Sequence, residues 1–73
     1  MEVFAKNSNG WGATLLVDPA ENGKYNWRIM VEDRRSAPPS LRFIVSPASF
    51  TSVGESIDDG RAVLEALTPD DLN

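Results

Sequence analysis

The side chains best suited to chemistry in this chain are its carboxylates and its arginines. Asp58 and Asp59 are neighbours, and so are Asp70 and Asp71. Two carboxylates that divide acid and base work must face one point from either side. Adjacent residues of a helix point about 100° apart, so neither doublet makes such a site. A hard-cation site needs roughly six or more converging oxygens, and no spacing here resembles a calcium-binding loop. The chain has no histidine and no cysteine. The first absence removes the usual neutral-pH proton shuttle and the usual base for a serine or threonine nucleophile. The second removes thiol chemistry, disulfides and thiolate-held metals. The glycines at 10, 12, 23, 54 and 60 follow no phosphate-cradling pattern. No catalytic or metal-ligating residue is assigned and no cofactor is expected. The chain reads as non-enzymatic.

Arg34 and Arg35 stand together, and Lys24, Arg28 and Arg42 lie near them in the pattern. A basic group of this kind can touch phosphates. Glu32 and Asp33 beside the doublet halve the effect. A nucleic-acid-binding module that uses the sheet with Arg28, Arg34, Arg35 and Arg42 is therefore the alternative reading. Trp11, Tyr25, Trp27 and Phe43 could stack bases. Tyr25 and Trp27 fall on the row assigned to the core, however, and packing is the simpler role for them. Trp11, at a strand start beside a turn, is expected to be partly exposed.

The formal net charge is −4 and is unevenly placed. Residues 1–52 carry six basic and five acidic groups, which sum to +1. Residues 53–73 carry Glu55, Asp58, Asp59, Glu65, Asp70 and Asp71 against Arg61, which sum to −5. A solvated acidic helix and tail is the plain account. A second alternative is an acidic inhibitor, or nucleic-acid mimic, occupying a basic cleft.

The elements that would position these groups follow from periodicity. Tyr25, Trp27, Ile29 and Val31 alternate with Asn26, Arg28, Met30 and Glu32, the pattern of a strand buried on one face. That strand is expected over Lys24–Glu32. Earlier strands are expected over Val3–Lys6 and Trp11–Val17, with the turn signal Asn9-Gly10 between them. Asp18-Pro19 closes the second strand. A tight turn at Asn22-Gly23 would set Val17 against Arg28, an apolar row against a polar one. Shifting by one residue sets Val17 opposite Trp27, Leu15 opposite Ile29 and Ala13 opposite Val31. A longer loop or a bulge across residues 18–23 is therefore predicted. Ala37-Pro38-Pro39 reads as extended loop. The fourth strand is expected over Leu41–Val45, with Leu41, Phe43 and Val45 inward. Phe50 is expected to plug one edge of the core.

Ser56 is the expected helix N-cap, with Asp59 three residues on as in a capping box. Ile57, Gly60, Val63, Leu64 and Leu67 line one helical face. Gly60 in a helix interior costs up to about 1 kcal/mol. Close approach to the sheet, against Trp27, would account for it. Thr68-Pro69 ends the helix, and Leu72 is expected to tuck under a last turn. The fold class is thus α+β: a three- or four-stranded antiparallel meander packed on one face by a single C-terminal helix. It forms one domain over 1–73, with 68–73 as a short acidic tail.

A chain of 73 residues buries only about 60% of the surface its unfolded form exposes, so its core is thin. A partner subunit would help it. No segment has the length of a signal peptide core or a membrane span, and a cytoplasmic location without membrane association is expected. The far face of the sheet would carry Leu16, Met30, Ile44 and Phe4 where no second helix covers them. Contiguous apolar patches of this kind mark protein interfaces. The leading reading is a protein-interaction module that self-associates through this outer face, with a homo-oligomer or another protein as partner.

One family resemblance rests on particular residues. Asn22-Gly23-Lys24-Tyr25-Asn26-Trp27-Arg28, Ser46 with Phe50-Thr51-Ser52, and Gly60-Arg61-Ala62-Val63 together resemble the small YegP-like domain. The likeness covers residues 22–64. Phe50 takes the position of an aromatic in the bridge before the helix, and Gly60 that of the helix glycine. Ala37-Pro38-Pro39 departs from the tighter turn of that family, and this chain has one unit rather than a tandem pair. The resemblance implies a three-stranded sheet with a packed helix; it implies no activity.

Overall fold

The computed structural model describes residues 1–67. Four strands, β1 (Glu2–Ser8), β2 (Trp11–Pro19), β3 (Tyr25–Asp33) and β4 (Ser40–Val45), precede one helix, α1 (Val53–Ala66). The strands form a single antiparallel meander in the order β1-β2-β3-β4. The helix packs across one face of β1, β2 and β3. The expected architecture is the observed one, with four strands rather than three.

Alternation dictates the core. Trp11, Ala13, Leu15 and Val17 of β2 and Trp27, Ile29 and Val31 of β3 all point to the helix side and are buried. Leu64 and Leu67 close over them from the end of α1. Each such Leu, Ile or Val contributes about 1.5–3 kcal/mol when fully buried. Trp11 belongs to this set at 1% exposure, so the expectation of partial exposure is corrected. The cause is its place opposite Ser8 and Asp33 on a central strand, with the Lys6 side chain 5.9 Å over its ring.

The register of β2 and β3 is the shifted one. Val17 opposes Trp27, Leu15 opposes Ile29, and Ala13 opposes Val31. Ladder pairing stops at Pro19 and Tyr25. A 3-10 turn at Glu21–Gly23 then carries the chain round, closed by the Ala20 N–H donating to the Lys24 carbonyl at 2.8 Å. Asn22 and Gly23 both take positive φ (62° and 70°), a conformation these two residues tolerate best.

β4 faces the other way from the expected one. Arg42 opposes Val31 and Ile44 opposes Ile29, so these two lie on the helix side. Leu41, Phe43 and Val45 lie on the open side, 58%, 53% and 66% exposed. The helix covers β1 to β3, and β4 needs only the half-buried Ile44 to seal the core margin. Phe50 pairs with Tyr25 through two 2.8 Å backbone bonds and packs on the same margin.

The helix begins one turn earlier than Ser56. Ser52 is the N-cap, with extended backbone and its Oγ accepting the Glu55 N–H at 3.1 Å. Ser52 and Glu55 form the S-x-x-E frame, while Thr51 Oγ1 donates to Glu55 Oε1 at 3.3 Å. Ser56 is a fully buried residue inside the helix. Two frames four residues apart, Ser52–Glu55 and Ser56–Asp59, compete locally. The earlier one wins because starting at Val53 adds Val53 itself to the face that packs on the core. At the other end Lys6 Nζ donates to the carbonyls of Glu65 (3.1 Å) and Leu67 (2.8 Å), groups the helix cannot satisfy itself. The expected roles of Pro69 and Leu72 and of the acidic tail lie outside the described residues.

Candidate interaction surface

The face of the sheet opposite α1 is built from three cross-strand rows. The first runs Leu16, Arg28, Val45; the second Thr14, Met30, Phe43; the third Gly12, Glu32, Leu41. Period-two pleating makes each row a line of touching side chains. Leu16 and Met30 are half-buried by their neighbours, and the three β4 residues stand exposed. Leu16 and Met30 are where the sequence places them. Ile44 and Phe4 are not, and both are corrected. Ile44 packs toward the core. Phe4 opposes Leu15 after a register shift between Glu2 and Phe4, which turns it to the helix side. There its ring lies 4.6 Å from the Arg61 guanidinium. The residues the sequence reading missed are Leu41, Phe43 and Val45.

The charges flanking this patch are paired within the chain. Arg28 Nε donates to Asp18 Oδ2 at 2.9 Å, and the Arg28 guanidinium lies 5.7 Å over the Phe43 ring. Arg34 reaches Glu32 at 3.3 Å and the Trp11 carbonyl at 3.0 Å. Arg35 grips Asp33 through Nε and Nη2, each at 3.0 Å, and its backbone N–H adds a third bond at 2.9 Å. The Arg35 side chain, then its N–H, holds the Asp33 carboxyl down at about 2. A groove of about 350 Å³ lined by Asp18, Arg28 and Val45 borders the patch, and its two charges bond each other.

The four arginines do not share a surface. Arg28 lies on the open face, Arg42 on the helix side of β4, and Arg34 and Arg35 in the loop after β3. Arg28, Arg34 and Arg35 have carboxylate partners that would compete with any phosphate. Of the helix carboxylates, Asp59 accepts the Trp27 Nε1–H at 2.7 Å and Glu65 accepts from Arg61 at 2.9 Å. Among the described residues no three acidic side chains gather as metal ligands, and no helix is long and apolar enough to cross a membrane.

No family model, no curated protein and no solved structure matches this chain.

Proposed function

We propose that this domain is a non-enzymatic protein-interaction module that self-associates through the open face of its sheet. The observation that supports this reading is the row Leu41, Phe43 and Val45, each more than half exposed and continuous with Met30 and Leu16. Clustered exposed side chains of this size raise the free energy of the isolated chain, and burial against a partner recovers it. The flanking pairs Asp18–Arg28 and Glu32–Arg34 leave the rim nearly neutral, so two identical faces need not repel. The YegP-like resemblance over residues 22–64 is compatible with this role and adds no activity to it.

Sedimentation across a concentration series tests the reading. The wild type should be dimeric in the micromolar range. Phe43→Glu places an unpaired carboxylate in the contact and should give a folded monomer. A wild type that stays monomeric at high micromolar concentration overturns self-association.

A further inference from the structure

The two edges of the sheet are not alike. β1 carries an irregularity between Glu2 and Phe4, a device that blunts an edge against further pairing. β4 pairs with β3 without interruption from Ser40 to Val45 and carries no bulge and no internal proline.

The backbone groups of β4 divide between two directions. The Ser46 N–H donates to the Trp27 carbonyl at 2.9 Å. In an antiparallel ladder, residues alternate between bonding one neighbour and facing the other. Ser46, Ile44 and Arg42 therefore bond toward β3. Leu41, Phe43 and Val45 direct their N–H and C=O groups off the edge. The residues with exposed apolar side chains are thus the same ones whose backbone groups meet no partner among the described residues.

We propose that two copies of this chain join antiparallel through the β4 edge, with Phe43 on the twofold axis, forming one continuous eight-stranded sheet. This rests on the self-association reading and places the contact at the β4 edge, where the Leu41, Phe43 and Val45 rows of the two copies meet side by side and the rest of the open face stays uncovered. In this register Phe43 meets the partner's Phe43, and Leu41 meets the partner's Val45. Every outward-directed N–H and C=O of Leu41, Phe43 and Val45 finds a partner. The apolar row of one copy lies against that of the other. Arg42 faces the partner's Ile44.

Neighbouring registers that keep like faces together are worse. Sliding one way sets Arg42 against the partner's Arg42, a directly opposed like-charge pair. It also sets Val45 against the partner's Pro39, which has no N–H to give. Sliding the other way sets Leu41 against the partner's Pro47, with the same loss. The prolines that bracket β4 thereby select the centred register.

Cysteine cross-linking tests this, because the native chain has no cysteine. Leu41→Cys and Val45→Cys change exposed positions and should fold. In the proposed register residue 41 of each copy lies beside residue 45 of the other, within disulfide range. The two residues 41 are roughly 14 Å apart and cannot bridge. A mixture of the two variants under mild oxidation should give the covalent mixed dimer in large excess over the product of either variant alone. A wild type that sediments as a dimer, with no cross-link in the mixture or an equal one in Leu41→Cys alone, overturns the edge geometry and leaves self-association standing. A wild type that is monomeric overturns both.

Discussion

A β-carbon built on Gly60 would come within 2.8 Å of Trp27 Cγ and 2.6 Å of Leu15 Cδ1. The helix rests on the sheet at this point with no room for a methyl group. One residue earlier, Asp59 accepts the Trp27 Nε1–H at 2.7 Å, so the same indole is gripped by packing and by a hydrogen bond.

Gly60→Ala should therefore destabilise the fold. Helix propensity alone favours alanine by up to about 1 kcal/mol. Overpacking costs typically about 1–3 kcal/mol, and the indole ring cannot move aside without opening the core. A thermal melt should fall by several degrees. A melt that rises would show that the helix can lift from the sheet freely.

Trp27→Ala should cost about 3–5 kcal/mol, a large part of the stability of a domain this small. Trp27 is 2% exposed, and its loss leaves a cavity under α1. Denaturant unfolding measures it. A loss below about 1 kcal/mol would mean that the helix does not depend on this ring.

The two serines near the helix start should behave oppositely. Ser52→Ala removes the cap and should cost about 1 kcal/mol. Ser56→Ala should be neutral or stabilising, since the buried Ser56 Oγ meets no hydrogen-bond partner among the described residues. Equal losses at both positions in a denaturant series would contradict the assigned helix start.

Asp33 should titrate at about 2, below its usual 3.8, because the Arg35 side chain and N–H favour its charged form. A carboxylate depressed in the folded state adds stability above its unfolded value and loses it as the pH falls through its folded value. The Asp33 contribution is thus present above about pH 4 and fades toward about pH 2. Arg35→Ala should move the Asp33 midpoint upward, read from its carboxyl carbon by NMR. High salt should do so partly, as the pair is partly exposed. A midpoint unmoved by the substitution would sink the assignment.

The helix-side rows of β2 and β3 are legible in the sequence. Only one parity sets Ala13, Leu15 and Val17 against Val31, Ile29 and Trp27 on a common face, and the loop over Ala20–Lys24 has the length that parity needs. Gly60 is legible for a similar reason, since an uncompensated glycine inside a helix asks for a close contact. These are local patterns, and each has one low-energy solution.

β4 is not of this kind. Its two rows, Leu41-Phe43-Val45 and Arg42-Ile44, both contain apolar residues, and hydrophobicity alone turns the larger row inward. The structure turns it outward because pairing with β3 sets Ile44 against Ile29, and because α1 packs mainly over β1 to β3. Neither the register across the loop between β3 and β4 nor the reach of the helix is written in five residues of strand. The helix start is similar: Ser52 and Ser56 offer equivalent caps, and the core contact of Val53 chooses between them. Local alternation and helical period determined which elements form and how the two central strands pair. Which side of the edge strand is open, and so where a partner can bind, was decided only by the packing of the whole, because that choice depends on contacts distant in the chain.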